Sequence, residues 1–113
     1  MEKTIPNRRT ASKALFVQRL IGYLNADEIS IRSFAAQLEI SHASLSRMLS
    51  GDIAISSQTV VLVCGKIGER NRSVALIEAF LLDELTAISR GLGRKHPWAR
   101  EHLVTVKAAQ TGN

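Results

Sequence analysis

Apolar positions recur along this chain at steps of three and four rather than two, which predicts helices through its whole middle. Over about residues 11–25, Val17, Ile21 and Leu24 share one face, flanked by Phe16 and Leu20, with Thr10 or Ser12 placed as a side-chain cap. Asn25-Ala26-Asp27 ends that segment. Ser30 stands before a short helix from Ile31 to about Leu38, and Ser41 before a third from His42 to about Leu49, stopped by Ser50-Gly51. Ser56 or Ser57 opens a fourth over Gln58 to Ile67, with Gly68 where a left-handed residue closes a helix. Asn71 or Ser73 opens a fifth that reaches about Ser89. Its apolar set (Val74, Leu76, Ile77, Phe80, Leu81, Leu82, Leu85, Ile88) is wider than one core-facing stripe needs. Residues 90–98, RGLGRKHPW, hold two glycines and a proline and read as a turn or linker, and HLVTV at 102–106 as a short strand or irregular extension. The expected fold is therefore all-α with five helices: a basic arm over 1–9, a helical domain over 10–89 and a tail over 90–113.

The second and third helices are too short to bury much alone, so what fixes one against the other matters most. Phe34 and Leu38 line the second; Leu45, Met48 and Leu49 line the third. Ala35 is small where two steeply crossing helices need close approach, and Ile40 sits in the turn, placed to plug the angle between them. The remaining positions of the third helix, His42, Ala43, Ser44, Ser46 and Arg47, are short or polar. They suit entry into a groove about 12 Å wide.

The run IRSFAAQLEISHASLSRMLSG followed by SSQTVVLVCGKIG resembles the helix-turn-helix of the lambda repressor/Cro-like (XRE) family. The shared features are the small residue in the first helix, the three-residue turn ending in Ser, the Leu-Ser-Arg core of the reading helix, and the Ser-x-x-Thr cap before an apolar fourth helix. The resemblance covers about residues 12–68 and rests on joint spacing. It implies a DNA-binding transcriptional regulator, a repressor of phage or prophage type, that binds a palindromic operator as a homodimer with half-sites about 34–36 Å apart. It implies base-reading positions at His42, Ala43 and Arg47, with Ser41, Ser44 and Ser46 as phosphate or secondary contacts. Arg47 can bond guanine O6 and N7 together, and Ala43 can meet a thymine methyl. Two positions depart from the family pattern. Glu39 stands where the turn usually has Gly, and Ile31 where Gln often holds phosphate, leaving Arg32 to replace that contact. The broad apolar face of the fifth helix, through Ile77, Leu81 and Leu85, is the expected dimer interface, with Trp98 and the HLVTV tail as further candidates.

Composition adjusts this picture without replacing it. The 113 residues, 45% hydrophobic and 22% charged, describe an ordinary globular chain, and 4% aromatics leave the core to Leu, Ile, Val and Ala. The net charge of +5 favours an anionic partner. Its distribution is uneven: residues 1–25 carry +4, residues 26–69 carry −2, and residues 70–113 carry +3. The reading segment is thus the least basic part, and phosphate affinity is assigned to the flanks. Arg8 and Arg9 read either as an arm following the DNA or as a plain tail, and Lys3 and Lys13 share that choice. The single Cys64 excludes an internal disulfide and reads as a small core residue. His96, His102 and Glu101 lack a metal-ligand spacing. No nucleophile elbow, phosphate loop or paired-histidine motif is present, so neither an enzyme nor a cofactor nor a metal is expected. No run approaches the roughly 20 apolar residues of a membrane span, and the first residues show no secretory pattern, which sets a cytoplasmic expectation. Two rival functions stay open on the sequence: an antitoxin-like or regulatory protein acting mainly through a protein partner, and a general nucleic-acid chaperone suggested by the pI alone.

Overall fold

A computed structural model describes residues 12–96. They form five helices and no strand: α1 (Leu15–Ala26), α2 (Ile31–Leu38), α3 (His42–Ser50), α4 (Ser57–Ile67) and α5 (Arg70–Gly93). The all-α, five-helix expectation holds, and α2, α3 and α4 match their expected spans to within one residue. Arg8, Arg9, Trp98 and the HLVTV segment lie outside the described residues.

One core joins all five helices. Phe16, Val17, Leu20 and Leu24 of α1 meet Ile31, Phe34, Ala35 and Leu38 of α2, Leu45 and Leu49 of α3, Val60 and Val63 of α4, and Leu76 and Ala79 of α5. Ile31 is 2% exposed, so the position that departs from the family pattern is a core position here. Ile40 packs against the core from the α2–α3 turn, as expected of a plug. Met48 differs: it is half-buried and lines a cleft of about 190 Å³ together with Ser12, Phe16, Ile55 and Phe80.

The helix ends depart from expectation more than the helix bodies. Ser12 does not cap α1. Its hydroxyl accepts only from the N–H of Ala14, while Asp83 of α5 takes the N–H groups of Leu15 and Phe16 at 2.9 and 3.0 Å, one on each carboxylate oxygen. A carboxylate at a helix start both satisfies orphan donors and opposes the positive end of the dipole. Because its source lies 67 residues away, no local pattern could reveal it. α5 begins earlier than expected, at Arg70, because Glu69 accepts from the N–H groups of Asn71 and Arg72. Ser73, an expected cap, instead donates to the carbonyl of Cys64. α5 also runs four residues past Ser89, so the expected linker over 90–98 is helical up to Gly93. A glycine weakens a helix by about 1 kcal/mol but does not stop it, and no proline intervenes before Pro97.

Two turns are closed by glutamates in the left-handed region: Glu28 at φ 57° and Glu39 at φ 60°. At the second, the N–H of Glu39 reaches the carbonyl of Ala36 and the N–H of Ile40 that of Ala35, the paired pattern of a Schellman turn. The sequence reading anticipated Glu39; nothing in the local sequence marks Glu28. A residue with a Cβ pays roughly 1 kcal/mol there. Glu39→Gly is therefore expected to raise stability by up to about 1 kcal/mol, a gain of several degrees in Tm by calorimetry with the fold unchanged. A lower Tm would show that the Glu39 side chain contributes more than its backbone costs.

Candidate nucleic-acid interface

Each helix of the α2–turn–α3 unit is capped at its N-terminus by a serine. Ser30 Oγ accepts from the N–H of Ser33 at 3.0 Å, and Ser41 Oγ accepts from the N–H of Ser44 at 3.0 Å. Ser41 also donates to Ser44 Oγ at 2.8 Å, so its hydroxyl is engaged while that of Ser44 retains a proton to donate. At its far end α3 is stopped by Gly51 at φ 92°, a backbone conformation that favours glycine, where a Cβ would meet that of Ser12 at an ordinary contact distance of 3.4 Å. The N–H groups of Asp52 and Ile53 bond the carbonyl of Arg47, and the hydroxyl of Ser50 donates to the same oxygen. α3 is thus closed by hydrogen bonds at both of its ends.

Leu45 and Leu49 fix which way α3 turns, being 1% and 0% exposed. At about 100° per residue, the direction opposite them is occupied by Ala43 and Arg47, with Ser44 and Ser50 beside them. Ala43 and Arg47 are exposed, and the side chain of Arg47 makes no hydrogen bond or ion pair among the described residues. Ser41 is exposed; Ser44 and Ser46 are half-buried at the edges of this face. His42 falls elsewhere. It lies on the flank nearer the core and is half-buried, so the structure brings Ala43 and Arg47 together but leaves His42 at their margin. Arg32 is exposed on α2, one residue after the buried Ile31.

The charge around α3 is organised. The helix HASLSRMLS carries no acid; Glu39 precedes it in the turn and Asp52 follows it. Elsewhere arginines serve the fold. Arg19 donates to the carbonyl of Ala75 at 2.7 Å, joining α1 to α5. Arg72 pairs with Asp27 at 2.7 Å and lies over the Tyr23 ring, 4.7 Å from its centroid, and the Asp27 hydrogen bond pushes the guanidinium pKa up. Sequence alone counted both as part of a diffuse positive charge.

The sequence reading also missed Ser50, which lies on the same face as Ala43 and Arg47. A helix-ending serine before glycine carries no signal beyond its stop role. It missed the anchor of the N-terminal segment as well. The N–H of Ser12 donates to the carbonyl of Leu49 at 2.7 Å, which ties Ser12 to the C-terminal end of α3, next to the exposed Lys13 in the chain.

Cys64 is half-buried; burial pushes its thiol pKa up, and the thiol faces the carbonyl of Ser73 at 3.7 Å. Among the described residues no group of His, Cys, Asp or Glu could hold a metal ion, and no helix is long and apolar enough to cross a membrane. On α5, Ile77 and Leu81 are 42% and 59% exposed, as an interface would require, whereas Leu85 is half-buried. No protein-family model matches this chain, and neither a curated protein nor a solved structure matches it.

Proposed function

We propose that this protein is a sequence-specific DNA-binding transcriptional regulator of the lambda repressor/Cro-like kind, a cytoplasmic repressor acting as a homodimer on a two-fold-related operator. The observation that carries the reading is the outer face of α3: free of acid, built of small and hydroxyl-bearing residues, and bearing one exposed, unpaired Arg47. An exposed face of this kind suits a major groove, where a guanidinium reads guanine by two parallel hydrogen bonds. Ala43 stands one turn away and offers a methyl contact. Ser44, Ser46 and the exposed Arg32 offer phosphate contacts on either side, which set register without reading sequence. Arg8 and Arg9 enter the reading by their charge alone, as candidates for phosphate contacts. The reading includes no catalytic step, cofactor or metal.

A second reading draws on the exposed apolar residues of α5, which suit a different protein as well as a second copy. An antitoxin-like regulator would use that face for its partner and bind DNA only secondarily. Selection from a random double-stranded DNA pool with the purified protein separates the two. A two-fold-symmetric site with half-sites about one helical turn apart is the expected result. Recovery of no consensus at all would overturn the operator reading.

A further inference from the structure

A cleft of about 190 Å³ opens between the start of α1, the last turn of α3, the α3–α4 loop and the middle of α5. Its walls are mainly apolar, through Phe16, Met48, Ile53, Ile55 and Phe80, and the two rings meet edge to face with centroids 6.4 Å apart. An apolar cavity of about 150 Å³ takes up benzene, so the cleft has room for one six-membered ring and a short arm. Met48, Ile53, Ile55 and Phe80 are each half-buried, which leaves part of this apolar wall uncovered by the chain.

The charge of the wall is of one sign. Asp83 and Glu84 line the cleft, and neither a lysine nor an arginine does. Asp83 is partly committed, because each of its oxygens accepts one backbone N–H at the start of α1, although each keeps a further lone pair. Glu84 is exposed and takes part in no hydrogen bond or ion pair among the described residues. An anion would be repelled here, and a neutral ring would leave the Glu84 charge unmatched. An ammonium on a short arm can meet that carboxylate while its apolar body enters beside Met48 and Phe80. An aromatic body adds edge-to-face contact with the two rings.

We propose that this cleft binds a small organic cation, a primary amine carrying one apolar ring, with Glu84 as its counter-charge. The proposal does not rest on the DNA reading, yet the site is joined to the helix that carries Arg47. Ile53 lines the cleft, and its N–H donates to the carbonyl of Arg47 at 3.2 Å, beside that of Asp52 at 2.9 Å. Met48, the next residue after Arg47, forms another part of the wall. A ligand that shifts Ile53 or Met48 therefore acts on the hydrogen bonds that close α3.

Benzylamine, an ammonium at neutral pH, is the probe, and benzyl alcohol is its uncharged counterpart. In protein with isotope-labelled methionine methyl groups, Met48→Leu identifies the Met48 signal. Titration with benzylamine should move that signal, and the amide signals of Asp52 and Ile53 with it, saturating in the millimolar range expected of so small a ligand. Benzyl alcohol should bind about two- to fivefold more weakly. Glu84→Gln should remove that difference while leaving the binding of benzyl alcohol unchanged. A Met48 signal that moves with neither compound would overturn the site. Equal binding of the two compounds, or undiminished binding of benzylamine to Glu84→Gln, would overturn the assignment of a cation. A Met48 signal displaced without any ligand in an Arg8→Gln/Arg9→Gln variant would give the cleft to the chain's own basic segment and overturn the proposal.

Discussion

Replacing Leu81 by aspartate is expected to yield a folded monomer. Leu81 is 59% exposed in the isolated chain and lies mid-way along the apolar stripe of α5, so the domain's own core loses nothing by the change. In the proposed dimer the same position would be covered. Removing a buried leucine forfeits about 1.5–3 kcal/mol of apolar burial, and the carboxylate adds a desolvation cost, since a charge enters an apolar seam without a partner. Both copies carry the substitution, so the dimer should weaken at least roughly a hundredfold. Light scattering or sedimentation at micromolar concentration checks the mass, and circular dichroism checks that the helices persist. A dimer of unchanged affinity would remove α5 from the interface. Operator binding should fall with the dimer, because one half-site offers only one copy of the reading helix.

Arg47→Ala should have the largest effect on recognition. A bidentate arginine–guanine contact is worth about 1–3 kcal/mol of discrimination, and a two-fold site doubles it to about 2–6 kcal/mol, or roughly 30-fold to 10⁴-fold in affinity. Binding to unrelated DNA should change far less, since it depends on total charge and the variant removes one positive charge per copy. Arg47→Lys keeps the charge but not the planar fork, so it should restore non-specific binding more than specific binding. A fluorescence titration of selected and scrambled duplexes at matched salt measures both. Equal losses on the two duplexes would reduce Arg47 to a phosphate contact. His42→Ala belongs in the same series. Its half-buried position at the margin of the α3 face implies a smaller loss than its place in the sequence suggested.

The middle of the chain was legible because its signals are local. Ser30, Ser41 and Ser56 cap the helices they precede, each by accepting from the N–H three residues on. Gly51 and Gly68 close α3 and α4 at positive φ. The apolar period also named the core residues of α1 and α3 and most of those of α2, but not Ile31 or Ala79, because a helix whose partners lie on one side must place them at steps of three and four. Some of what was misjudged involved partners far apart in the chain, and some a local cap of an unexpected residue type. The start of α1 is satisfied by Asp83, and the start of α5 by a glutamate acting in place of the expected Asn or Ser. Arg19 and Arg72 looked like free charge and are instead tied between helices.

The sequence by itself determined that five helices form, where most of them stop, and that α3 carries short, polar, acid-free residues suited to a groove. All of this follows from rules that act within a turn or two of the chain. The tertiary structure decided which of those residues face outward together. The burial of Leu45 and Leu49 sets the rotation of α3, so Ala43 and Arg47 share its outer face while His42 is turned toward the core. It likewise divided the broad apolar surface of α5 into a buried side and an open stripe. A periodic pattern records how much of a helix is apolar, but only packing against a neighbour shows which part of that surface is still uncovered.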